Sequence, residues 1–208
     1  MQLINGCEFC ERFPTVIVPH VYETENFFVQ TDRSPLVIGH VMIISKSHFG
    51  CAGEVTDELK AELLQLVDLV VNKVKAIYGT ASLYEHGRAG HCVPMKNGQG
   101  MCEHFHLHVL PMDIKKDPDF KQDGIEVWGS KSVNSVEGIF SFFERYGSYL
   151  YLSDSDGVGR LYSVDHEALP PHYLRSFLSS HYLSDDRSDW LDNKNTDEQW
   201  ATYNNWMK

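Results

Sequence analysis

The ten residues from Cys102 to Pro111, Cys-Glu-His-Phe-His-Leu-His-Val-Leu-Pro, constrain this chain more than any other stretch. His104, His106 and His108 alternate strictly with Phe105, Leu107 and Val109. A period of two is the period of a β-strand, so the three imidazoles point to one face and the apolar side chains to the other, toward a core. The chain has 11 histidines among 208 residues, too few for such alternation to follow from composition. A strand that presents three imidazoles on one face predicts a metal site or a catalytic site.

The surroundings narrow the choice. Charged residues make up 23% and hydrophobic residues 42% of the chain, which is ordinary for a globular protein. A net charge of −11 argues against non-specific binding to nucleic acid or anionic membranes, although it permits a local phosphate pocket. There is no apolar run long enough to cross a bilayer and no basic-then-apolar leader, so the expectation is a cytoplasmic protein. Five cysteines, Cys7, Cys10, Cys51, Cys92 and Cys102, then read as reduced thiols. Cys7-Glu8-Phe9-Cys10 has the spacing of half a zinc site or of a redox pair; with no strand before it, metal is preferred.

Along the chain, Val16–Val18 and Phe27–Val29 read as short strands joined through Glu23–Asn26. Gly39–Ile44 reads as a buried strand with His40 at its start, followed by Lys46-Ser47-His48. Thr56 to Tyr78 is the clearest helix: Thr56 as N-cap, Asp57 and Glu58 in the first turn, Leu59, Leu63, Leu66, Val67, Val70, Val71, Val74 and Ile77 at helical spacing, and Gly79 at the end. Ser82–Glu85 reads as a strand, and the glycine-rich Gly87–Gly100 leads into the triad. Backbone amides of such a loop can approach an anion closely. Beyond Pro111, a helix is expected over Val133–Tyr146. A hairpin is expected from Tyr149–Leu152 and Arg160–Val164 around Asp154-Ser155-Asp156-Gly157, and a short helix over His172–Leu183. Asp154–Gly157 lacks the acidic residue that would complete a calcium loop, so it reads as a turn. The acidic tail from Asp185 carries Trp190, Trp200 and Trp206, which need something to pack against.

These pieces together resemble the histidine triad (HIT) superfamily of nucleotide hydrolases and transferases. His104-Phe-His-Leu-His108-Val-Leu matches the family pattern His-φ-His-φ-His-φ-φ. Asp32-Arg-Ser-Pro-Leu-Val-Ile-Gly-His40-Val-Met-Ile-Ile-Ser-Lys-Ser-His48 matches its second strand and the turn after it. The resemblance covers about residues 7–113, with details similar to the diadenosine-polyphosphate-hydrolase-like or Hint-like branch. It implies an α+β fold: a mostly antiparallel five-stranded sheet with a long helix packed on it. Residues 1–113 would be the HIT domain and 114–208 a C-terminal extension of helix, β-hairpin and helices packed on that core, with no separate linker between them. Many members form a homodimer through one continuous sheet.

Carried over by position, the resemblance makes His106 the nucleophile and gives His108 the α-phosphate and leaving group. His104 and His40 complete the catalytic set. Asp32 would bind the ribose, and Gln99 and Gly100 the phosphate beside His108. In zinc-binding relatives the ligands correspond to Cys7, Cys10, His48 and His104, which implies a structural zinc ion and no organic cofactor. Two departures stand out: Glu85-His86-Gly87 replaces a frequent Asn-x-Gly, and Met101 or Cys102 stands where a serine often precedes the triad. The implied activity is hydrolysis of a phosphoanhydride or phosphoramidate at the α-phosphorus through a nucleotidyl-histidine, releasing a nucleoside monophosphate. The alternatives are a nucleotidyl transferase or phosphorylase, and a non-catalytic nucleotide-binding protein. His108 rather than glutamine at the third triad position favours hydrolysis.

Overall fold

The computed structural model describes residues 3–11, 19–90, 103–190 and 192–208. Its centre is the triad strand. We number the strands β1 His20–Glu23, β2 Phe27–Thr31, β3 Val41–Ser45, β4 Ser82–Gly87, β5 His106–Leu110, β6 Val127–Val133, β7 Tyr149–Ser153 and β8 Gly159–Val164. They form one sheet in the order β1-β2-β3-β5-β4-β7-β8-β6, with every neighbouring pair antiparallel. The expected five strands are β1-β2-β3-β5-β4. Three more, from beyond residue 114, continue the same hydrogen-bonded surface. β7 lies along the outer edge of β4, with Tyr84 opposite Leu152 and Gly87 opposite Tyr149.

The triad strand, β5, starts at His106, so His104, expected on it, lies just before it, and the alternation running from Phe105 into β5 separates two faces. Phe105, Leu107 and Val109 are fully buried against α1 (Asp57–Tyr78), whose buried stripe is Leu63, Leu66, Val67, Val70 and Val74. Each such side chain contributes roughly 1.5–3 kcal/mol by leaving water. Gly79 ends α1 in the left-handed conformation and donates its N–H to the Lys75 carbonyl. Thr56 precedes the helix in extended conformation, but its side chain caps no backbone N–H. The opposite face of the sheet carries His106, His108, Tyr84 and a second apolar cluster that includes Leu110, Leu150, Leu152 and Leu174.

The C-terminal half departs from expectation in two places. The helix expected from Val133 starts later, as α2 (Gly138–Tyr146), because Val133 ends strand β6. Val-Trp-Gly-Ser-Lys-Ser-Val hides that strand: glycine and serines dilute the pattern, and most of its side chains are exposed at the sheet edge. The acidic tail contains an unexpected helix, α4 (Thr196–Trp206), started by Asn195 accepting from Glu198 N–H at 3.1 Å. Trp206 is buried in the core over α1, whereas Trp200 stays 40% exposed. The short helix after Pro170-Pro171 is α3 (Tyr173–Tyr182). Asp154–Gly157 is a plain turn, with Asp154 Oδ1 accepting from the N–H groups of Asp156 and Val158. The strand expected at Val16–Val18 and the loop carrying Gln99 and Gly100 lie outside the described residues. No helix among the described residues is long and apolar enough to cross a membrane.

Candidate active site

The loop before β3 fixes the first candidate side chain. Gly39 has φ +101°, and a Cβ there would stand 2.7 Å from both Pro111 and the Tyr78 ring, so only glycine fits. Its N–H donates to Thr202 Oγ1 of α4 at 2.8 Å. The chain is thereby set so that His40 is completely buried, with its ring turned toward β5.

The hydrogen bonds assign the tautomers. Leu36 N–H donates to His40 Nδ1 at 3.2 Å, so Nδ1 is the bare nitrogen and Nε2 carries the proton. That Nε2–H lies 2.8 Å from His108 Nδ1, which must accept. His108 therefore holds its own proton on Nε2. Burial depresses the pKa of His40 to about 4 and that of His108 well below the usual imidazole range, so both rings are neutral. Tyr84, opposite His108 in the sheet register, stacks on it at 4.1 Å with planes 2° apart. His106 is set differently. Its Nδ1 is 2.7 Å from the His104 carbonyl, which can only accept, so Nδ1 is protonated and Nε2 has a free lone pair. Burial lowers its pKa as well, and Phe9 stacks on its ring at 5.1 Å.

His104 faces a separate cluster. Its Nε2 is 2.9 Å from the Ser45 carbonyl, which orients Nδ1 toward Cys7 Sγ and Cys10 Sγ, each 3.5 Å away, and His48 Nδ1 at 3.2 Å. Cys10 Sγ and His48 Nδ1 are 3.3 Å apart. Metal–nitrogen bonds of about 2.0–2.1 Å and metal–sulfur bonds of about 2.3 Å in a tetrahedron give edges of about 3.3 Å for N···N and about 3.6 Å for S···N. These four distances are close to those edges, and all four donors lie within 4.8 Å of one another, so Cys7, Cys10, His48 and His104 could hold a metal ion. A carbonyl behind the histidine is the usual outer-shell support for such a ligand. Asp32, His40 and His108 also converge, but the direct hydrogen bond between the two rings fills the space an ion would need.

Asp32 is 5% exposed. Its Oδ1 accepts from Ser34 N–H at 2.7 Å, and its Oδ2 lies 3.5 Å from His40 Nε2 and 3.7 Å from His108 Nδ1. Asp32, His104, His106 and His108 line one cavity of about 120 Å³. Residues that the sequence reading missed line it too: Phe9, Tyr84, His86, and three from the C-terminal half, His172, Arg175 and Trp190. His172, which lines the cavity, sits at φ +57°, an uncommon left-handed conformation for a non-glycine residue, immediately before α3. Leu174 N–H donates to His86 Nε2 at 3.1 Å, fastening the first turn of α3 to β4. Glu85 points to the other side of the sheet, where it accepts from Ala52 N–H and from the Tyr149 hydroxyl, both at 2.8 Å.

Histidines on and just before one strand, a buried histidine partner one strand away and a long helix behind the sheet are the arrangement expected of a histidine-triad domain. The family profile described as "HIT domain" matches residues 18–114, and the chain carries a HIT domain there. The protein named hit from Bacillus subtilis is 28% identical over 118 residues, covering 56% of this chain and 78% of its own. A HIT-like protein of Borreliella burgdorferi is 28% identical over 135 residues, 62% of this chain and 85% of its own. Among solved structures, a hypothetical histidine triad nucleotide-binding protein from Sulfolobus tokodaii is similar at 26% identity, TM-score 0.37, over 56% of this chain and 74% of its own. A HIT family hydrolase from Clostridium thermocellum is similar at 22% identity, TM-score 0.39, over 56% and 98%.

Proposed function

We propose that the cavity is the active site of a nucleotide hydrolase that cleaves at an α-phosphorus. The observation that carries this reading is the opposed pair of tautomers on β5: a bare Nε2 on His106 beside a protonated Nε2 on His108, both lining one cavity. His106 Nε2 forms a bond to phosphorus, and its Nδ1–H, held by the His104 carbonyl, bears the charge that develops on the ring. The bond from phosphorus to the leaving group breaks, and the leaving oxygen departs as an anion with a hydrogen bond from His108 Nε2–H. Water then attacks phosphorus, the P–N bond breaks, and the water proton goes to solvent with the nucleoside monophosphate. A neutral His108 that already accepts at Nδ1 can donate a hydrogen bond but has no spare proton to transfer. This supports a phosphoanhydride over a phosphoramidate, whose amine leaves only when protonated.

The donor set of Cys7, Cys10, His48 and His104 supports zinc in a closed structural site. Zinc there would supply folding energy, tying the N-terminal turn to the start of β5 and holding Phe9 against His106. His106→Ala tests the reaction. It should bind AMP and keep its melting temperature while turnover of a dinucleoside polyphosphate is abolished. A variant that kept more than about a tenth of kcat, a barrier change of only about 1.4 kcal/mol, would rule His106 out as nucleophile.

A further inference from the structure

The HIT match ends at residue 114, yet the most deeply buried cation lining the cavity comes from beyond it. Arg175, in the first turn of α3, is 4% exposed. Its Nε donates to the Arg187 carbonyl at 2.8 Å, and its Nη2 donates to the Ser34 carbonyl and Oγ. Those partners are neutral. Its charge is directed elsewhere: Nη1 lies 4.0 Å from Asp32 Oδ2, in a cavity that Tyr84, the ring stacked on His108, also lines. Guanidinium stays protonated at any pH the fold survives. The other two described arginines of the cavity are committed to carboxylates nearer the rim, Arg33 to Glu8 at 3.9 Å and Arg88 to Glu54 and Glu103 at 2.6 and 2.9 Å.

The charge balance gives Arg175 its role. Asp32 is a buried anion between His40 and His108, and His40 cannot neutralise it while Nδ1 accepts from Leu36 N–H. A phosphate that enters the cavity brings further negative charge beside that carboxylate. A fixed cation is needed, because an unbalanced buried anion is costly and would repel the ligand. We propose that Arg175 is a positioning residue of the nucleotide site, holding Asp32 beside His108 and offsetting the Asp32 charge so that a phosphate can approach. This rests on the reading of the cavity as a phosphate site. It makes the C-terminal half part of the active site.

The test is AMP binding by calorimetry on the full chain, with Arg175→Met, Arg175→Lys, Asp32→Asn and the Asp32→Asn/Arg175→Met double variant. Arg175→Met should weaken AMP binding at least about tenfold, and Arg175→Lys by less, because it keeps the charge. In the double variant the charge problem is gone, so AMP should bind no more weakly than to Asp32→Asn alone. A merely structural clamp on Ser34 and Arg187 predicts that the two losses multiply, and that result would overturn the proposal. Wild-type-like binding by Arg175→Met overturns it too and leaves the hydrolase reading standing. If Arg175→Met does not fold, Arg175→Gln takes its place: Arg175→Lys must then bind AMP about tenfold more tightly than Arg175→Gln, and equal binding is refutation. A wild-type protein that binds neither AMP nor inorganic phosphate brings down both readings together.

Discussion

Replacing Glu85 by Gln should change how stability depends on pH, by an amount the structure sets. Glu85 is 2% exposed, and its two oxygens accept one backbone N–H and one phenol hydroxyl, with no cation among these partners. Burial raises its pKa to about 7, from the ordinary 4.5. A raised carboxyl pKa means that the folded chain holds a proton that the unfolded chain has released. Its stabilising contribution is complete below about pH 4.5 and is lost as pH rises through about 7. The whole difference amounts to about 3 kcal/mol, at about 1.36 kcal/mol per decade. Between about pH 5.5 and pH 8 the loss is about 2 kcal/mol. Gln keeps the shape and cannot ionise. Urea unfolding of both proteins across that range should show the stability difference moving by about 2 kcal/mol in favour of Gln as pH rises, with histidine contributions cancelling in the comparison. A difference that stays flat, or moves the other way, would refute the assignment of Glu85 as a buried carboxyl ionising near neutrality.

Protein purified without chelator should contain about one zinc per chain, and Cys7→Ser should lower both metal content and melting temperature. Wild-type protein that carries no zinc and has both thiols free would eliminate the metal reading. At the seam between β4 and β7, a Cβ on Gly87 would stand 2.1 Å from Cζ of the buried Tyr149 ring. Gly87→Ala should therefore cost roughly 1–3 kcal/mol in urea unfolding, and an unchanged midpoint would mean that the ring has room to move.

The parts that were legible in the sequence are those in which neighbours in space are neighbours in pattern. The alternation at His104–Val109 announced both a strand and its two faces, and the apolar stripe of α1 announced the surface that covers one of them. His106 and His108 sit on β5 and His104 just before it, and the three imidazoles have three different partners: a cysteine cluster, a backbone carbonyl and His40. Spacing alone does not encode that division, because it depends on which loops approach each ring. Arg175 was invisible for a related reason. It meets Ser34 across 141 residues, and nothing in Tyr-Leu-Arg-Ser marks that arginine as buried. Glu85 lay in an Asn-like position by motif, but strand alternation turns it away from the cavity and leaves His86 facing it. The helix α4 was hidden because its sequence is polar on most sides, and only Gln199, Thr202 and Trp206 are buried.

The position of β7 on the edge of β4 has a consequence for the order in which the chain can fold. Everything through β5 is available once Leu110 has been synthesised, and those five strands could pair at that moment. β4 would then be an outer strand with open backbone groups, since its neighbour on that side starts at Tyr149. A flat, unpaired edge is a template for pairing with other chains. During translation this edge stays bare for the time needed to make about forty more residues, some seconds at ~5–20 residues per second. The nascent chain is thus most prone to self-association after its triad strand is complete and before its C-terminal hairpin arrives.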